Sequence, residues 1–336
     1  MNPRLRHIAQ HAGVSEATVS RVANNKPGVA ETTRRRVLEA IAEFRYQAPG
    51  LGGADRAGLV GLIIPELSNP IFPMFAQAIA GMLANQRFTT VLCTATIDGV
   101  SEDEYVDMLL DRGMAGLVVV SGQNADMLSD HTLYRRLADR RMPMVFMNGA
   151  VTGVEAPVVS SDDAQAADLA VRHLVSLGHT SIGCIVGPRR YVPVQRRLRG
   201  HAAVCRELGL EQHVADGMYS VEGGEAATRQ LLDRPESSGV TAIVAASDLM
   251  ALGAIRALRA VGKRVPNDVS VVGYDDNPLL AFTDPPLTSV RQPLAAMSEA
   301  AARALIEVIE GDEWPRQELT FHGELIVRGS TAVLRT

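Results

Sequence analysis

Cysteine is scarce in this chain of 336 residues, which has only Cys93, Cys184 and Cys205. An odd number with no C-x-x-C spacing excludes a disulfide framework and a zinc ribbon, and suits a reducing compartment. Lysine is scarcer still. Lys26 and Lys263 are the only two, so nearly all positive charge is arginine, which reads as the codon bias of a GC-rich genome. No apolar run reaches the length of about 18 residues that a membrane helix needs. The first twenty residues carry Arg4, Arg6, His7, Gln10 and His11 where an export signal would have its apolar core. The expected location is the cytoplasm. G-x-S-x-G, a Walker A loop and H-E-x-x-H are also missing. No catalytic residue, cofactor or metal is therefore expected.

What the chain does have is apolar content, 46% of its residues, enough for two or three compact units with their own cores. Its formal charge of -5 is unevenly placed. Residues 1–46 hold eight Arg or Lys against four Asp or Glu, a local +4 that leaves -9 on the remainder. A basic first segment on an acidic body is a common arrangement for a DNA-binding head.

Within that segment Leu5, Ile8, Ala9 and Ala12 recur at helical spacing. Gly13 breaks the pattern, and Ser15 is an N-cap for a second helix running to about Asn24. A third is expected over Glu31–Phe44, with Val37, Leu38, Ile41 and Phe44 inward. Val19 and Val22 of the second helix face the core, which turns Glu16, Ala17, Ser20 and Arg21 outward. That face suits a major groove: arginine pairs with guanine, glutamate accepts from cytosine, alanine meets a thymine methyl, and the hydroxyls of Thr18 and Ser20 bind phosphates.

From Gly58 onward apolar runs alternate with amphipathic ones. GLVGLIIP (58–65), TTVLCTA (89–95), GLVVVSG (116–122), PMVFMNG (143–149), SIGCIVGP (181–188), TAIVAAS (241–247) and VSVVGYDD (269–276) have strand length. Helical stretches such as Met74–Gln86, Ala164–Leu177 and Leu249–Val261 separate them, the pattern of parallel sheets covered on both faces. The fold class expected is α/β, with two subdomains behind a small all-α head. The runs end in small or polar residues, Pro65, Ser121, Asn148, Gly187, Ser247 and Asp275, and open parallel sheets bind ligands beyond those ends. His179 reads as a cap for carbonyl groups. Asp275 with Asp276 reads as a hydroxyl acceptor with a structural partner, the alternatives being acid/base work or a cation site.

The run A-G-V-S-E-A-T-V-S-R, residues 12–21, resembles the head of the LacI/GalR family of bacterial repressors. The stretches LSNPIF (67–72), HLVSLGHTSIGCIVGP (173–188), ASDLMALGAIRAL (246–258) and VPNDVSVVGYDD (265–276) resemble the family's effector core, itself similar to periplasmic sugar-binding proteins. The resemblance implies a helix-turn-helix head at 1–46, a linker at 47–58 and a core at 59–330. The core would divide into subdomains of 59–157 with 291–318, and 158–290 with 319–330. It implies a transcription regulator, a homodimer on inverted-repeat operator DNA, controlled by a small sugar-like effector.

DNA contacts are implied for Ser15, Glu16, Ala17, Thr18, Ser20, Arg21 and Asn24, and for Leu51 in the linker. In the cleft the resemblance implies Asp275 as hydroxyl acceptor and Arg197 as ligand clamp, with Ser247, Asp248, Asn148, Tyr219 and Phe72 around them. Taken singly, Tyr219 and Phe72 also read as core aromatics, Asn148 as a turn residue and Arg197 as half of an ion pair. Arg189 and Arg190 read either as surface arginines or as a mouth favouring an acidic ligand. The linker departs from the family's A-R-x-L pattern. Gly50, Gly52, Gly53 and Gly58 each disfavour helix by about 1 kcal/mol, which predicts a flexible linker and weak DNA bending. Two other classes compete: a cytoplasmic sugar-binding protein with no regulatory role, and a sugar-processing enzyme.

Overall fold

The computed structural model describes residues 3–23, 28–43, 58–94, 99–235, 239–312, 314–315 and 317–334. Three helices open the chain: α1 (Pro3–Ala12), α2 (Glu16–Ala23) and α3 (Glu31–Glu43). Gly13 turns the chain between the first two at a φ of +63°, and the Val14 amide bonds back to the Ala9 carbonyl at 3.0 Å. The Ser15 hydroxyl accepts from the Thr18 amide at 3.2 Å, which starts α2. Ile8, Ala9, Ala12, Val19, Val22, Val37 and Ala40 are buried together between the helices. Leu38 was expected inward and is instead 37% exposed. The buried stripe of α3 runs through Val37 and Ala40, and one residue further along a helix turns the side chain about 100° away. Asn24, Phe44 and Leu51 lie outside the described residues, as does the Ile41 side chain.

The body continues with β1 (Gly58–Ile64), α4 (Ile71–Asn85), β2 (Phe88–Thr94), α5 (Glu102–Leu110), β3 (Met114–Val120), α6 (Thr132–Asp139), β4 (Met144–Met147) and β5 (Val158–Ser161). Next come α7 (Asp163–Ser176), β6 (Ile182–Val186), α8 (Val192–Leu208), β7 (His213–Asp216), α9 (Val221–Asp233), β8 (Ala242–Ala245), α10 (Asp248–Ala260) and β9 (Ser270–Asp275). The chain ends through β10 (Thr288–Arg291), α11 (Leu294–Glu310), β11 (Leu319–Phe321) and β12 (Glu324–Ile326). One sheet has the order β11-β5-β4-β3-β1-β2 and the other β12-β10-β9-β8-β6-β7. Every pairing is parallel except β10 with β12. Helices cover both faces of each sheet, α4 and α11 against one face of the first, and α9 and α10 against one face of the second. Burial from both sides is why the central strands read as unbroken apolar runs.

Each of the seven apolar runs is a strand. The chain crosses between the sheets a few residues later than the sequence suggested. β5 pairs with β4 in the first sheet, so the crossing follows Ser161 instead of preceding Val158. β10 pairs with β9 in the second, and β11 with β5 in the first, so the later crossings follow Arg291 and Phe321. VVSS, TSVR and LTF mix polar with apolar residues, so unlike the equally short MVFM and AIVA they make no apolar run.

The second subdomain depends on one close approach. A Cβ added at Gly200 of α8 would stand 2.5 Å from the Ala164 Cα and carbonyl oxygen at the start of α7, backbone that has nowhere to move. Gly200→Ala is expected to cost about 1–3 kcal/mol of stability in urea unfolding, and a loss below about 0.5 kcal/mol would show that the two helices separate freely. All three cysteines are buried free thiols. Burial pushes Cys93 up to about 11 and Cys184 up to about 12, so both stay protonated.

Candidate functional site

In the head, the α2 surface opposite Val19 and Val22 presents Ala17, Ser20 and Arg21 exposed, with Glu16 and Thr18 half-buried beside them. The Ser15 and Thr18 hydroxyls bond each other at 2.9 Å, so part of their hydrogen-bonding capacity starts the helix. What remains outward is a carboxylate, a methyl, a hydroxyl and a guanidinium along two turns, the set that distinguishes base edges in a major groove.

In the body, the strand ends of the two sheets face each other. Asp275 closes β9 at a φ of +111°, and Asp276 follows at +58°. Two consecutive left-handed residues other than glycine make a strained turn of the kind that functional sites hold in place. The turn sends the two carboxylates to different work. Asp276 is buried against Arg291 Nε at 2.8 Å and Arg328 Nη1 at 2.6 Å, a structural brace. Asp275 accepts from Gln292 Nε2 at 2.6 Å and from the Asn69 side chain. Burial pushes its carboxyl up to about 7, while Gln292, Arg197 and Asn69 favour the charged form.

Arg197, only 5% exposed, is held from three directions. Its Nη1 donates to the Ala246 carbonyl at 2.5 Å and its Nη2 to Asp163 Oδ1 at 2.8 Å, while its Cζ lies 3.7 Å from the centre of the Tyr274 ring. Buried polar atoms are nearly always partnered. Among the described residues, Arg197 Nε and Gln292 Oε1 are buried without a partner. A donor and an acceptor thus stand unused around Asp275.

The other expected residues divide. Asn148, at a φ of +63°, donates to the Ser121 hydroxyl at 2.9 Å and accepts from the Ser161 amide, which ties the ends of β3, β4 and β5 together. Tyr219 packs its ring against Gly187, where a Cβ would collide with it. Phe72 is partly buried on α4 against the first core. Ser247 and Asp248 support the scaffold. The Ser247 hydroxyl caps α10 by accepting from the Met250 amide at 3.2 Å. Asp248 accepts from the Ser289 hydroxyl at 2.7 Å and the Asn277 amide at 2.8 Å, with its carboxyl raised by burial and by the charge of Asp275. His179 caps the Ala332 carbonyl at 3.0 Å.

Arg189 pairs with Asp216 at 3.0 Å. Arg190 reaches across to Asp126 of the first subdomain at 3.2 Å, next to a bond from the Met127 amide to the Arg190 carbonyl. Both arginines have protein partners, which weakens the idea of an acidic ligand. An open cavity of about 290 Å³ lies nearby, walled by Asp162, Arg196, Arg199 and Glu318. None of the expected cleft residues lines it. Arg196 and Glu318 already satisfy each other at 2.8 and 2.9 Å.

Sequence reasoning missed Asn69, Asp163, Tyr274 and Gln292. Asn69 and Tyr274 lie inside stretches that bear the family resemblance, so a signal existed. Gln292 follows β10 and Asp163 follows β5, two strands whose mixed polar and apolar residues make no run in the sequence.

Residues 4–48 match the family model of bacterial regulatory proteins of the lacI family, and residues 171–331 match a periplasmic binding protein-like domain. The regulator reg1 of Streptomyces lividans is 53% identical across 99% of this chain and 97% of its own. MalR of Streptomyces coelicolor is 52% identical over the same shares. Among solved structures, the complex of the regulator CelR with cellobiose superposes with a TM-score of 0.74 at 33% identity, covering 98% of this chain and all of that one. The lac repressor dimer, bound to operator and the anti-inducer ONPF, superposes at 0.73 with 28% identity, covering 97% and 98%. Likeness at that level, running from head to core without a break, means that this chain belongs to the LacI family of DNA-binding transcription regulators, which are not enzymes.

Proposed function

We propose that the chain represses transcription from an inverted-repeat operator as a homodimer, and that a sugar or sugar derivative bound between its two subdomains changes its hold on that operator. The observation that carries the effector reading is the buried polar group around Asp275, with Arg197 Nε and Gln292 Oε1 unpartnered beside a carboxylate. The acceptors of Asp275 and Gln292 with the single free donor of Arg197 suit hydroxyls, and Tyr219 and Phe72 supply apolar faces for a ring. The cellobiose held by CelR and the ribose held by an Enterococcus faecium relative favour the same class. A function on DNA supports a cytoplasmic location.

The test is a thermal-shift panel of monosaccharides and disaccharides, including cellobiose and ribose, on the full chain. A true effector raises the melting temperature with concentration, and Asp275→Ala is expected to remove the shift. A panel without any shift, or one that Asp275→Ala leaves intact, would place the effector elsewhere or in another chemical class.

The dimer reading draws on the lac repressor dimer and on symmetry, because one short helix reads too few base pairs for a useful site. On the turn Pro278–Phe282, Leu279 is 70% and Phe282 86% exposed, a paired apolar surface suited to burial against a second copy. Burying a phenylalanine stabilises by about 2 kcal/mol, so Phe282→Asp is expected to shift the dimer midpoint in light scattering at least about tenfold. An unchanged midpoint would move the interface to another face.

A further inference from the structure

We infer that Tyr274 is a positioning residue that ties Arg197 to the chain crossing between the subdomains, so that the arginine and the hinge report on one another. The inference rests on reading Arg197 as an effector contact. Four residues form a closed ring of contacts. Tyr274 lies in β9 of the second sheet, and its ring supports the Arg197 guanidinium at 3.7 Å. Its hydroxyl donates to the Ser161 hydroxyl at 2.9 Å. Ser161 is the last residue of β5 in the first sheet. Two residues later, past the crossing, Asp163 accepts from Arg197 Nη2 at 2.8 Å. The crossing segment Ser161–Asp163 is therefore gripped at both ends by one stacked pair, by a hydroxyl at one end and a guanidinium at the other.

The geometry has a mechanical consequence. Rotation of one subdomain against the other changes the backbone of the crossing, and with both ends held the change either breaks the Tyr274–Ser161 bond or tilts the guanidinium. Ser161, Asp163, Arg197 and Tyr274 are all buried, so breaking the bond has a cost even though Ser161 and Asp163 border the open cavity. A group that fixes the guanidinium thereby favours one arrangement of the crossing, which is the differential contact that a ligand needs in order to shift a two-state equilibrium.

Hydrogen exchange of the free full-length protein tests this. Tyr274→Phe keeps the ring beneath Arg197 and deletes only the hydroxyl, and Ser161→Ala deletes the same bond from the other side. Each is expected to speed exchange over residues 158–166 about fivefold, the worth of one buried hydrogen bond, with β2 unchanged. The double variant is expected to match the faster single variant, because both remove one bond. Tyr274→Leu, which also removes the stacking surface, is expected to speed exchange further, and about tenfold in all. Additive effects in the double variant, acceleration spread equally to β2, or no change over residues 158–166 would each overturn the inference. No ligand enters this measurement, so it stands or falls apart from the effector reading, which operator titrations of Asp275→Ala test separately.

Discussion

Asp275→Ala abolishes the response to the effector and leaves operator affinity within about threefold of the wild type, because ligand coupling and basal DNA binding are separate free energies. The substitution removes a cleft carboxylate that no salt bridge among the described residues neutralises, whereas Asp276 is braced by Arg291 and Arg328 and Asp163 is taken by Arg197. Typical coupling is about 1–3 kcal/mol, so the response that disappears is a change of up to about two orders of magnitude in operator affinity. Loss of folding or of DNA binding in this variant, or a response at the wild-type sugar concentration, would show that the pocket lies elsewhere.

A pH arm sharpens the same prediction. Burial raises the Asp275 carboxyl to about 7 in the folded core, above its unfolded value. Its contribution to stability is therefore complete below about pH 4 and is lost as pH climbs through about 7. A hydroxyl donating to the carboxylate selects the charged form, so effector affinity rises with pH up to about 7 and levels off above it. Asp275→Asn keeps an acceptor for Gln292 and is expected to flatten that profile. Asp248, raised by burial and by the charge of Asp275, contributes to stability with the same sign, so the difference between wild type and variant reports the interacting pair.

Arg21→Ala weakens specific operator binding by about 1–3 kcal/mol per half-site, and both halves of a symmetric operator lose it together. Arg21 is exposed on the outer face of α2, and Val19 and Val22 lock the helix beneath it. The loss should be confined to one base position per half-site, whereas a phosphate contact would weaken all sequences alike and reduce the salt dependence. Selection from a random DNA pool checks this: an unchanged sequence preference in the variant removes Arg21 from base recognition.

Much of this was legible in the residues, for reasons that can be named. Six of the seven runs are central strands buried on both faces, so GLVGLII or AIVA has nothing polar to interrupt it, and the seventh is the edge strand β2. The α2 face followed from two valines three residues apart and a glycine turn. Edge and crossing strands escaped because VVSS and LTF carry no periodic signal, and their partners are set by topology. Asp275 and Arg197 were visible through resemblance, while the division of labour between Asp275 and Asp276 depends on two left-handed residues in succession, which no composition announces. Ser247 and Asp248 show the converse: polar residues at a strand end read as ligand contacts, yet a helix that starts there draws on the same groups for its cap and its loop.

The most direct measurement is fluorescence anisotropy of an inverted-repeat duplex, recovered by selection with this protein, titrated with the full chain at fixed salt with and without each sugar of the panel. The account predicts that at least one sugar moves the binding midpoint by about five- to 150-fold in the wild type and leaves it unmoved in Asp275→Ala. A midpoint that no sugar moves, or one that moves equally in Asp275→Ala, would contradict a sugar-controlled operator switch built on this cleft.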